Sequence, residues 1–134
     1  MIKIMREIFF FGISGAIGFL VDTTVLYILL GYCGPYIARA FSFFAAVAVT
    51  WVFNRKITFK DKSSCMKPKN EFLSYFVLML GGGSVNYGLY SWLISTYNIA
   101  LENPIIGVAA GSIAGMVVNL ASSRFLLFRK EIRS

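Results

Sequence analysis

Two ionisable residues interrupt apolar stretches of the chain: Asp22 within residues 9–30, and Arg39 within residues 35–53. A guanidinium stays charged at all working pH values and offers a planar fork of donors that matches carboxylate or phosphate oxygens. An ionised side chain near a bilayer centre costs about 2.5–3.5 kcal/mol on insertion scales, less toward the interface, and so marks a site by default. Asp22 and Arg39 can lower that cost by pairing. The pair then serves as a hairpin clamp with Arg39 snorkelling to the headgroups, or as an anion site in which Asp22 positions the guanidinium. Two more arginines, Arg55 and Arg124, follow Asn54 and Ser123 where apolar stretches end, each with a phenylalanine four residues on (Phe59, Phe128). A cation there suits a helix C-terminus and lipid phosphate; two at one interface make a candidate phosphate gate. Arg39, Arg55 and Arg124 are therefore the candidate phosphate-binding residues, and Asp22 the polar partner or proton site. Asn54, Asn86 and Asn119 are the uncharged polar residues within or at the edges of these stretches, better suited to interhelical hydrogen bonds than to ligation.

This chemistry is recognition rather than bond making. The chain has no histidine and two cysteines, Cys33 and Cys65. That excludes Ser-His and Cys-His catalytic pairs and any metal cluster, so no enzyme activity, metal or cofactor is expected.

The elements that must position these residues follow from composition. Of 134 residues, 57% are hydrophobic and 14% charged, and the mean hydropathy is +0.71. Soluble domains average roughly 45–50% apolar and about 25% charged residues. The numbers indicate a polytopic membrane protein. Four stretches, residues 9–30, 35–53, 72–96 and 104–123, each reach about 28–37 Å as helices, enough to cross a hydrocarbon core of about 30 Å. None alternates with a period of two, so an all-α integral membrane fold with four transmembrane helices is expected, not a barrel.

Lys3, Arg6, Arg55, Lys56, Lys60, Lys62, Lys67, Lys69, Arg124, Arg129, Lys130 and Arg133 all fall on one side of such a bundle, and the two opposite connections carry no Lys or Arg. By the positive-inside rule both termini and the central loop are cytoplasmic. The net charge of +7 is then an orientation signal and a contact with anionic membrane lipids; nucleic acid is not an expected partner. Cys33 and Cys65 lie on opposite sides and cannot pair within one chain. The first apolar run is too long for a signal peptide and is expected to be retained.

Sliding the chain by 69 residues, without a gap, places Pro35 on Pro104, Arg55 on Arg124 and Phe59 on Phe128. One transmembrane domain over residues 1–134 follows: repeat one at about 8–59, a basic loop at about 55–71, repeat two at about 72–128. Each repeat has an even number of spans, so the two are parallel repeats about an axis near the membrane normal. In this register Asp22 meets Ser91 and Arg39 meets Val108. The charges occur in one copy only, which favours a site over a clamp required by the fold. Ala38, Ser42 and Ala46, and Gly107, Gly111 and Gly115, form small-residue stripes suited to close helix packing within the chain. Pro35 and Pro104 open the second and fourth helices, with Asn103 a cap. Tyr27, Tyr32, Tyr36, Trp92 and Tyr97 read as an outer aromatic belt, and Trp51 as part of the inner one.

The opening FFFGISGAIGFLVDTTVLYILL, the segment RAFSFFAAVAVTWVFNRKITF and the closing NLASSRFLLF resemble the GtrA-like family of small bacterial inner-membrane proteins over nearly the whole chain. The N-R-x-x-x-F ending is the most specific part; the second half departs from it with Ser123 in place of asparagine. The resemblance implies translocation of polyprenyl phosphate, with or without a linked sugar, across the bacterial inner membrane for cell-envelope polysaccharide glycosylation. The partner implied is that lipid; the small-residue stripes offer a second copy of the chain as an alternative to packing within it, and a glycosyltransferase is the partner of the anchoring role below. With no nucleotide motif, Asp22 is the protonatable acid expected within a span. Two other roles compete: an anchor or assembly subunit for a glycosyltransferase, and a small multidrug-type exporter. The strong charge bias and the presence of Arg39 beside the acid disfavour the exporter.

Overall fold

The computed structural model describes residues 1–132; it also leaves the side chains of residues 35, 36, 104, 105 and 108 undescribed. Arg133 of the tail and the side chains of Pro35, Tyr36, Pro104 and Val108, which the sequence reading used, lie outside the described residues.

Four helices are long and apolar enough to cross a membrane: α1 (Ile2–Gly34), α2 (Ile37–Thr58), α3 (Pro68–Thr96), and a fourth apolar segment, Ala109–Leu127. The last joins α4, which begins at Pro104 and runs to Ser122, to the π-helical turn Ser123–Leu127 that continues it. The all-α, four-span membrane fold is thus present. α1 and α2 meet at Gly34, whose φ of 77° and ψ of 171° break the helix. A left-handed φ favours glycine, which has no Cβ to collide with the backbone. The connection between α3 and α4 is longer and contains a short helix, Asn98–Glu102. Asn103 precedes α4 but makes no side-chain cap bond; its amide instead donates to Ile99 O at 3.2 Å.

α1 and α3 begin well before the apolar stretches, at Ile2 and Pro68. They therefore take Glu7 and Glu71 into the helices, where both are buried. Asp22 is accordingly not the sole acid in a spanning helix. The α-helices of α2 and α4 both end in a π-helical turn, Asn54–Thr58 and Ser123–Leu127. Each turn closes with a backbone bond to its own first carbonyl, Phe59 N to Asn54 O and Phe128 N to Ser123 O. The turns deliver Phe59 and Phe128 to one another as a stacked pair, ring centroids 5.0 Å apart. Such a pair contributes about 0.5–1.5 kcal/mol beyond its area burial. Beyond it, Lys62–Ser63 and Lys130–Glu131 form a two-residue antiparallel ladder.

The small-residue stripes lie inside the bundle. Ala38 and Ser42 are fully buried, and a Cβ at Gly111 or Gly115 would meet the α3 backbone at Asn86 O (2.6 Å) or Gly82 O (2.8 Å). The two hairpins meet in a core centred on Phe11, Val47, Phe59, Tyr75, Met79, Leu127 and Phe128. This core sits at the end of the bundle that carries the basic loop. Tyr27, Tyr32, Trp92 and Tyr97 are exposed near the other end.

Candidate functional site

The helix ends show how the two hairpins correspond. Arg55 Nε lies 3.4 Å from Glu71 Oε1, and Arg124 Nε donates to Glu7 Oε2. A Cβ on Gly18 would meet the Thr50 methyl at 2.6 Å, and one on Gly82 would overlap the Asn119 amide. Partners in α2 and α4 therefore lie 69 residues apart (Arg55 and Arg124, Thr50 and Asn119). Partners in α1 and α3 lie 64 apart (Glu7 and Glu71, Gly18 and Gly82). The ungapped register does not hold for α1 and α3. The five-residue helix Asn98–Glu102 in the second hairpin's connection matches the difference. In the contact register the residue corresponding to Asp22 is Asn86, not Ser91. A carboxylate in one hairpin thus corresponds to its amide isostere in the other.

Between the four spans lies a cavity of about 330 Å³. Every spanning helix contributes polar groups to its wall: Ser14 and Asp22 from α1, Arg39, Thr50 and Asn54 from α2, Tyr75 and Asn86 from α3, Ser112 and Asn119 from α4. Gly15, Gly18, Gly82, Gly83 and Gly115 supply the smooth parts of the wall. From Arg39 to Asn54 the lining covers fifteen residues of α2, roughly 22 Å along the axis. Of the sequence-selected residues, Asp22, Arg39, Asn54, Asn86 and Asn119 share this cavity. Arg55 and Arg124 do not line it.

At one end of the cavity Arg39 Nη1 donates to Asp22 Oδ2 at 2.5 Å. The Asp22 side chain is 18% exposed and that of Arg39 57%, so the guanidinium keeps donors free while the acid holds it over the opening. At the other end the floor is neutral. Asn54 Nδ2 donates to Tyr75 Oη at 2.7 Å, and Thr58 Oγ1 donates to Asn54 Oδ1 at 2.7 Å. This network joins the two hairpins, Asn54 from the first and Tyr75 from the second, and the corresponding pair of positions lacks it. Ser123 stands where the first has Asn54, Phe11 stands where α3 has Tyr75, and Ser123 Oγ is buried without a protein partner. Tyr75→Phe should accordingly strand the Asn54 amide and cost about 1–3 kcal/mol. A fall in the detergent melting temperature for Tyr75→Phe, with none for Ser123→Ala, is the expected result.

Three further polar atoms on the cavity wall have no protein partner: Ser14 Oγ, Asp22 Oδ1 and Asn119 Oδ1. Buried polar groups left unpaired are costly, and these three carry almost no accessible surface of their own, so a donor on an occupant reaches them only where the wall gives way.

Below the floor, the basic end of the bundle is tied by charge. Glu71 accepts from Trp51 Nε1 at 3.0 Å and Ser64 Oγ at 2.5 Å besides pairing with Arg55. Glu7 pairs with Arg124 and with Lys62 Nζ at 3.2 Å. Each carboxylate bridges the two hairpins. The sequence reading missed both acids, because each sits among cations in a flank that reads as solvated. Their signal is position: each opens an aromatic-rich run, EIFFF and EFLSYF. Trp51, read as a belt residue, is one of their partners. Among the described residues, no cluster of His, Cys, Asp or Glu could hold a metal ion.

A family model described as GtrA/DPMS, transmembrane domain, matches residues 10–128. No curated protein matches the chain. The match runs from the third turn of α1 to the stacked Phe128, and so takes in the whole cavity and both π-helical turns. The chain belongs to the GtrA/DPMS transmembrane-domain family.

Proposed function

We propose that the protein translocates polyprenyl phosphate, or a sugar linked to it, across the bacterial inner membrane for envelope polysaccharide glycosylation. The observation that carries this reading is the cavity, with a cation at one end and a neutral hydrogen-bonding floor at the other. The head of such a lipid is an anion on a long apolar tail. Arg39 offers a charge-assisted fork to phosphate, and Asp22 keeps the resident charge of the site near zero, so the phosphate is not held too tightly to leave. Where the wall gives way, the unpaired acceptors Asp22 Oδ1 and Asn119 Oδ1 favour a head that brings hydroxyl groups, as a glycosyl phosphate does. The tail stays in lipid throughout. In this reading the basic loop and both termini face the cytoplasm, Arg39 opens toward the outer leaflet, and the protein acts without bond-making chemistry or a cofactor. Anionic lipids contact the basic end, a glycosyltransferase works beside it, and a second copy of the chain is a further partner; nucleic acid is not.

The test is a flipping assay in proteoliposomes with fluorescent polyprenyl phosphate, bare and glycosylated. Movement of either above protein-free vesicles is expected, the glycosylated lipid moving faster. No movement of either lipid by folded protein would sink the reading. It would leave the anchoring role, with the basic loop at residues 55–71 as the segment that docks the glycosyltransferase.

A further inference from the structure

The two arginines at the basic end are occupied in this structure by the protein's own acids. Glu7 and Glu71 are 5% and 3% exposed. Each is held against an arginine from the other hairpin, Arg124 and Arg55 respectively. The two arginines correspond by the 69-residue spacing and the two acids by the 64-residue spacing, so the pairs are two copies of one device. With the Phe59–Phe128 stack they join the two hairpins at the basic end, beyond the Asn54–Tyr75 floor of the cavity.

We propose that Glu7 and Glu71 are built-in stand-ins for a phosphate. A lipid phosphate arriving at the basic end takes Arg124 and Arg55 from the carboxylates, and that exchange unlatches the two hairpins. Carboxylate and phosphate bind a guanidinium fork in the same manner, and phosphate offers more acceptor oxygens. The same arginines therefore hold the basic end closed when empty and receive the ligand when it opens. The exchange needs no covalent step. The displaced carboxylates are not left bare: Lys62 remains beside Glu7, and Trp51 and Ser64 beside Glu71. The exchange rests on the translocation reading for the identity of the ligand, but the latch does not.

The test uses full-length protein in proteoliposomes, with Cys33→Ser and Cys65→Ser, and one reporter, Thr50→Cys, in the cavity wall. An impermeant maleimide is added on the face that bears the basic loop. Glu7→Gln with Glu71→Gln should raise labelling of the reporter roughly a hundredfold, about tenfold for the charge-assisted bond lost on each side. Glu7→Arg combined with Arg124→Glu, and with Lys62→Ala to remove the cation 3.2 Å from position 7, restores a pair of opposite charges and should label as slowly as the parent. Unchanged labelling in the glutamine variant would overturn the latch, as would fast labelling in the reversed pair when both proteins keep their melting temperatures. Separate arms add polyprenyl phosphate in the vesicles, or inorganic phosphate in solution, to the parent. Acceleration by the lipid supports the exchange with a lipid head. Acceleration by inorganic phosphate alone keeps the exchange but removes the lipid as its ligand. No acceleration by either overturns the exchange. A glutamine variant that opens while neither phosphate accelerates the parent overturns the exchange and leaves the latch standing, whereas translocation itself fails only in the flipping assay.

Discussion

Arg39→Ala should lower polyprenyl-phosphate translocation by roughly 10- to 100-fold, the range given by losing a charge-assisted hydrogen bond of about 1.5–3 kcal/mol. The Arg39 side chain is more than half exposed, but the mostly shielded Asp22 loses its counter-charge, so folded yield should fall as well and rates are compared per folded protein. Arg39→Lys keeps the charge but loses the fork, and should fall between the two. Asp22→Asn should act in the opposite sense on binding. It removes the counter-charge and leaves the cavity mouth with an unbalanced cation, so the anionic head binds more tightly and leaves more slowly. Flipping rates and equilibrium binding of the labelled lipid, measured on the same preparations, separate the two effects. Equal flipping by Arg39→Ala and the parent protein would remove the cavity mouth from the pathway.

Gly111→Leu should abolish folded protein, and Gly88→Leu should not. A Cβ at Gly111 would stand 2.6 Å from the Asn86 carbonyl oxygen, a backbone atom that cannot rotate away. Accommodating it means pushing α3 and α4 apart along the contact that buries Gly107, Gly111 and Gly115. Overpacking a well-packed contact costs typically 1–3 kcal/mol, occasionally more, and here the hairpin has no hydrophobic driving force in lipid to offset the loss of close packing. Nothing lies within 4 Å of a Cβ at Gly88, so leucine there meets only lipid. Size-exclusion profiles and melting curves in detergent check the contrast.

The sequence made the four spans readable because uninterrupted apolar runs without period-two alternation leave the helix as the way to satisfy the backbone in lipid. Asp22 and Arg39 were readable as a pair because both are expensive there, and the structure brings them to 2.5 Å. Glu7 and Glu71 were hidden by the same logic, since an acid among cations in a polar flank carries no sign of burial. The repeat register was half readable. Proline, arginine and phenylalanine landmarks fix the spacing of α2 and α4, whereas α1 and α3 offer mostly glycine, which recurs too often to set a register. Arg55 and Arg124 were legible as interfacial cations, but their commitment to Glu71 and Glu7 depends on how the hairpins pack, which no local pattern contains. The Asn103 cap failed for a local reason: its amide turned back to the Asn98–Glu102 helix instead.

The ladder joining Lys62–Ser63 to Lys130–Glu131 has a consequence for biogenesis. Its first strand is translated after two spans, its second only after all four. While the ribosome is still making the later half, Phe59 has no ring to lie against and the first hairpin waits in the bilayer unsealed. Translation order alone makes the seal a late event in maturation, and a chain stalled before its fourth span would sit in the membrane as a leaky intermediate, open to quality-control proteases.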